Sequence, residues 1–141
     1  AQDLPFIIAS VLKTDREKTV WIENYRIISE SNSLPTAEIT LSCDGEELTA
    51  TGKGDGGYDA FMKATRKALK RRGIKIPALL DYVVHIPPGG MSDALVETTI
   101  KWENNGRNPL ITIGVSSDQI VAAIEATEKM LNVVVPPQLQ K

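Results

Sequence analysis

At 141 residues, with 42% hydrophobic and 24% charged side chains, the chain has the size and make-up of one globular domain with a core of its own. Its 16 basic and 18 acidic residues leave a net charge of −2, too balanced for a general polyanion binder or an anionic tail. One cysteine, Cys43, excludes an internal disulfide framework, and one histidine, His85, excludes a multi-histidine metal site. No apolar run approaches the roughly 18 residues of a membrane span, and no secretory leader opens the chain, so the cytoplasm is the expected compartment.

The first expected element is a short helix over Asp3–Leu12, with Asp3 as N-cap and Pro5 in the first turn, followed by a charged linker, Lys13–Lys18. Residues 1–18 are therefore set apart from a domain over 19–141. A strand is expected from Val20 to Glu30. Ala37–Cys43 alternates apolar and polar residues, the mark of a half-buried strand. Asp44-Gly45 is a tight-turn signal that pairs Glu46–Gly52 back as a hairpin. A helix follows from about Tyr58 to Arg72, with Phe61, Ala64, Ala68 and Leu69 on its inner face, basic residues in its last turns and Gly73 as its stop. The second half repeats the plan: strands at Leu79–Ile86, Leu95–Trp102 and Leu110–Val115, a turn at Asn105-Gly106, and a helix over Gln119–Asn132 capped by Ser116-Ser117-Asp118. The tail from Pro136 onward reads as loose.

At a shift of 62 residues, Gly52, Ala60, Ala64, Thr65, Lys67 and Leu69 meet Gly114, Ala122, Ala126, Thr127, Lys129 and Leu131, 6 identities in the 20 positions from Ala50 to Leu69. Chance gives on the order of one or two at average residue usage. The expected fold is α+β: an internal duplication of two βββα units, about 19–73 and 74–135, with pseudo-twofold symmetry.

The sharpest local signal is Gly52-Lys53-Gly54-Asp55-Gly56-Gly57. Gly52, Gly54 and Gly57 fit the spacing of a dinucleotide fingerprint, but the strands before them form a hairpin rather than a parallel βαβ unit, and Asp55 would set a negative charge beside a pyrophosphate. One remaining reading is a flexible turn into a helix. Another is a receptor for a small anion on the helix N-terminus, with Asp55 and Asp59 beside it to take an ammonium group, together an amino-acid zwitterion site. Ser116-Ser117-Asp118 offers the same groups, and is equally an ordinary N-cap. His85, Cys43 and Glu46-Glu47 read as structural or surface residues. Lys70-Arg71-Arg72 reads as a solvated helix end, because no exposed aromatic residues accompany it as RNA binding would require. No nucleophile stands at workable spacing from a base, so no catalytic residue, metal ligand or cofactor is expected in this segment.

Four motifs in register resemble the C-terminal allosteric domain of 2-isopropylmalate synthase and citramalate synthase. They are the glycine-rich turn running into Tyr58-Asp59-Ala60-Phe61, Leu79-Leu80-Asp81-Tyr82, Ser92-Asp93-Ala94-Leu95-Val96-Glu97-Thr98, and Gly114-Val115-Ser116-Ser117-Asp118-Gln119-Ile120. The resemblance implies a homodimer that binds leucine or isoleucine near the dimer interface and inhibits a metal-dependent catalytic TIM barrel of the same full-length chain, with no nucleic-acid or membrane partner. By the same resemblance Gly54, Asp55, Gly57, Tyr58, Asp59 and Ala60 form the effector turn. Leu79, Tyr82 and Ile86, with Ala94 and Val96, line the apolar pocket, and Ser116, Ser117, Asp118, Gln119 and Ile120 supply the second helix start. Gly57-Tyr58 stands where many leucine-responsive members carry Pro-Val, which tilts the expectation towards isoleucine. Alternatives of another class are a free-standing amino-acid sensor and a purely structural dimerisation module.

Overall fold

The computed structural model describes residues 7–8, 18–86 and 95–135. The elements run β1 (Ile7–Ile8), β2 (Val20–Ile28), β3 (Thr36–Cys43), β4 (Glu46–Lys53), α1 (Gly57–Lys70), β5 (Leu79–His85), β6 (Val96–Trp102), β7 (Leu110–Ser116) and α2 (Gln119–Val134). They divide into two compact units. The boundary between them falls between Ile76 and Pro77, with one repeat on each side.

In the first repeat β2, β3 and β4 form an antiparallel sheet in that order. Asp44 and Gly45 both take positive φ (54° and 87°), as a two-residue type I′ hairpin between Cys43 and Glu46 demands. That turn fixes the register, and the register puts Ala37, Ile39, Leu41, Cys43, Leu48 and Ala50 on one face, all buried. Helix α1 covers that face with Ala60, Phe61, Ala64, Ala68 and Leu69. Gly52 is required by this contact: a Cβ there would run into the backbone of Ala60, Lys63 and Ala64. Past the helix, Gly73 takes φ +73°, and Ile74 N–H reaches back to Leu69 C=O at 3.1 Å, so the expected glycine stop is present.

The second repeat is built alike. Strands β5, β6 and β7 are antiparallel neighbours, with Asn105 and Gly106 at positive φ in the β6–β7 turn. Gly114 gives way to the backbone of Ala122 and Ala126, each 62 residues beyond the atoms that crowd Gly52. Thr65 and Thr127 each donate to the carbonyl four residues back, Phe61 and Ala123. Lys67 and Lys129 each donate to a strand carbonyl, Thr51 at 2.7 Å and Ile113 at 2.8 Å. The duplication read from sequence is thus repeated contact by contact, and the two three-stranded sheets, each followed by a helix, are the expected α+β architecture.

One expectation is corrected where it can be compared. Ile7–Ile8, inside the stretch expected as helix, is a two-residue strand paired in parallel with Leu110–Ile111. Two β-branched residues favour extended backbone, and the outer edge of β7 offers unpaired backbone groups to meet them. The rest of that helix expectation and the tail from Pro136 lie outside the described residues. No helix among the described residues is long and apolar enough to cross a membrane.

Candidate functional site

The glycine-rich turn of the first repeat carries the chain from β4 into α1. Gly54 is buried, and its N–H donates to Pro35 C=O at 3.1 Å, tying the turn to the β2–β3 loop. A side chain at Gly54 would meet the Asp59 carboxylate and the backbone of Asp59 and Ala60, so the close approach requires glycine. Asp59 folds back over the turn: its Oδ2 accepts the Asp55 N–H at 2.9 Å and lies 3.5 Å from Lys63 Nζ. Gly56 is the N-cap, with extended backbone (φ −139°, ψ 176°) and no side-chain cap on the helix. The first turn of α1 therefore presents its amide end with no acceptor from the N-cap, flanked by two carboxylates, Asp55 and Asp59. Tyr58 is half-buried and stacks on Phe61 with ring centroids 6.0 Å apart, and Tyr25 meets Phe61 edge-on at 6.2 Å. Gly57 opens the helix and Ala60 is fully buried against the sheet. The hairpins around this turn are antiparallel throughout, so the dinucleotide reading lacks the parallel unit it needs.

The second repeat closes its helix start with its own side chains. Asp118 Oδ1 accepts the N–H groups of Ile120 at 2.8 Å and Val121 at 3.1 Å, and Ser116 Oγ accepts the Asp118 N–H at 3.1 Å. Ser117 and Gln119 are exposed. Burial holds the Tyr82 phenol above the ordinary tyrosine pKa, opposed by its hydrogen bond to the Gln119 side chain. Tyr82 pairs with Ile100, Val84 with Thr98, and Thr98 with Gly114, so all of these lie on the face that α2 covers. A register shift between Leu79 and Asp81 turns Leu79 to that face too, opposite Trp102. Val96 pairs with Ser116. Leu79 opens β5 and Ile86 follows its last residue, roughly 20 Å away at the rise of a strand, where it is exposed. Ala94 lies outside the described residues.

Thr98 is not among the residues that the resemblance places in the site. Its hydroxyl is fully buried with no hydrogen-bond partner, on the same face as Tyr82. The only signal was a hydroxyl residue at a core position of an alternating strand. The Tyr82–Gln119 bond joins residues far apart in sequence and left no local pattern. The basic cluster is spent on structure: Arg72 pairs with Glu46 and Asp44, and Arg71 donates to Thr49 C=O. Burial raises the Cys43 thiol pKa, with Arg72 opposing, so the cysteine is not an activated nucleophile. Among the described residues no three His, Cys, Asp or Glu side chains are grouped to hold a metal ion.

A model of the LeuA allosteric (dimerisation) domain matches residues 1–135, nearly the whole chain. The chain belongs to that family. Among its relatives is the CimA protein of Archaeoglobus fulgidus, provisionally assigned as an (R)-citramalate synthase, which is 36% identical over 132 residues, covering 92% of this chain and 26% of the relative. The CimA protein of Methanosphaerula palustris, provisionally assigned likewise, is 34% identical over 130 residues, 92% of this chain and 25% of the relative. The 2-isopropylmalate synthase of Aquifex aeolicus is 34% identical over 133 residues, 93% of this chain and 24% of the relative. This LeuA-type domain spans about a quarter of the length of these relatives. Both kinds of synthase lie at similar distance from it, so the relatives alone do not choose between their products.

Proposed function

We propose that the chain is the feedback-regulatory domain of a synthase that condenses acetyl-CoA with a 2-oxo acid, making citramalate or 2-isopropylmalate. Its effector is the branched-chain amino acid at the end of the pathway, isoleucine ahead of leucine, bound by a homodimer at or near the interface between copies. The observation that carries this reading is the first helix start. Its amide end has no N-cap side chain, and two carboxylates stand beside it. The amide end receives the effector carboxylate, and Asp55 and Asp59 receive its ammonium group. Tyr58, at the position where the resemblance places the isoleucine-responsive branch, limits the space for the effector side chain. Isomers that differ by one methyl position are separated by only about 1–3 kcal/mol in such a pocket.

Inhibition then follows from differential binding. The effector ties the glycine turn to one arrangement of the domain, and it inhibits a distant barrel only to the extent that it binds this arrangement better than its alternative. Titration calorimetry of the purified chain with isoleucine, leucine and valine tests the reading. Saturable heat with isoleucine, weaker with leucine, is expected; no heat with any of the three at several temperatures leaves a dimerisation module. Asp59→Asn separates anchoring from folding, because the amide oxygen still accepts the Asp55 N–H while the charge is gone. Binding about tenfold weaker with an unchanged melting temperature is expected.

A further inference from the structure

In both repeats the helix lies along the outer edge of the strand before it, and helix side chains at every fourth position seal that edge. In the first repeat Lys67 Nζ donates to Thr51 C=O at 2.7 Å and Arg71 Nη1 to Thr49 C=O at 2.6 Å. In the second, Glu125 Oε1 accepts the Val115 N–H at 2.7 Å and Lys129 Nζ donates to Ile113 C=O at 2.8 Å. Alternate residues of a strand present their N–H and C=O groups to the same edge, so Ile111 faces outward with Ile113 and Val115. The 62-residue shift that matches Lys67 with Lys129 and Thr51 with Ile113 also matches Arg71 with Val133 and Thr49 with Ile111. Valine has no donor, so α2 supplies nothing at the position where α1 caps Thr49. That is where the sheet gains a strand: Ile7–Ile8 pairs in parallel with Leu110–Ile111.

We propose that the residue at this one helix position, Arg71 in the first repeat and Val133 in the second, decides which sheet edge accepts an added strand, and that the segment at Ile7–Ile8 docks on β7 because Val133 leaves Ile111 uncapped. A capped edge refuses strand addition and an uncapped edge invites it. Residues 7–8 are thereby tied to the second repeat, although the first repeat follows them in sequence.

The test is backbone NMR of the 141-residue chain. The parent is expected to show cross-strand contacts between the backbone protons of Ile8 and Ile111. Val133→Arg and Val133→Lys place a donor beside the Ile111 carbonyl. They are expected to abolish those contacts and to speed amide exchange at residues 7–8 by about tenfold or more, while the amides of the β6–β7 ladder are unchanged. Val133 is exposed, so both substitutions fit without disturbing the core. Val133→Ala adds no donor and is expected to keep the contacts. The proposal is overturned if the parent lacks them, if either cationic variant folds and retains them, or if Val133→Ala loses them as fully as Val133→Arg.

Discussion

Gly56 in the first repeat and Asp118 in the second stand at the same place, the residue before a helix, 62 positions apart. Around them the two repeats agree closely: Gly52 and Gly114 admit the helix backbone, Thr65 and Thr127 bond back along it, and Lys67 and Lys129 hold the strand edge. At the caps they part. Asp118 takes two N–H groups of its own helix, whereas Gly56 takes none with a side chain. A duplicated unit needs only one stable solution for its packing, and both copies keep it. Where the copies differ, the first has no side chain at its N-cap, and that is the helix start the proposed effector site uses.

The shared part of the comparison is the costliest to break. Gly114→Ala and Gly52→Ala each drive a methyl group into helix backbone, and each is expected to cost about 3 kcal/mol in urea unfolding. A small cost at one site and a large one at the other would mean that the two helix–sheet contacts are not equivalent. Next comes a polar contact that only the second repeat has. Trp102 Nε1–H donates to Thr112 Oγ1 at 3.0 Å, while in the first repeat the positions at the same place in the strand register are the apolar Leu41 and Ala50. Thr112→Val leaves a buried donor without its acceptor and is expected to cost about 1–3 kcal/mol. Asp118→Ala removes the cap and is expected to cost about 1 kcal/mol, read from the same unfolding curves.

The smallest expected effects are in alkaline solution. Burial holds Cys43 in the first repeat and Tyr82 in the second above their ordinary pKa values. The unfolded chain therefore releases these protons first as pH rises. Stability from both groups is complete below about pH 8.5 and is lost as pH climbs through the thiol range and then the phenol range near about 10. Cys43→Ala is expected to flatten the earlier part of that decline and Tyr82→Phe the later part, as measured by melting temperature against pH.

The hairpins and helices were legible because local chemistry encodes them. Asp44-Gly45 forces the first hairpin, the alternation at Ala37–Cys43 sets its faces, and Gly73 stops α1. The duplication was legible because a close helix–sheet contact admits little besides glycine and alanine, which preserved Gly52, Gly114 and their partners in both copies. The caps were half legible. The sequence offered both helix starts as anion receptors and as ordinary N-caps; at the second start, the Asp118 hydrogen bonds satisfy the amides locally. The local pattern at Ile7–Ile8 favours helix because the strand's partner, the β7 edge, lies about 100 residues away and leaves no mark on it. Arg71 looked like one member of a basic cluster. Only the strand carbonyl opposite it gives it a role.

The most direct test moves the second repeat's cap into the first. Gly56 has extended backbone, and a Cβ there meets nothing within 4 Å, so Gly56→Asp fits and supplies the carboxylate that Asp118 supplies in the other copy. Isoleucine titrations of the parent and of Gly56→Asp, each paired with a melting curve, read both consequences together. The account predicts that the variant is as stable as the parent or more so, by a few tenths of a kcal/mol, and binds isoleucine at least about tenfold more weakly. Equal isoleucine affinity in the two proteins would contradict the proposal that the helix start behind Gly56 is the effector's carboxylate site.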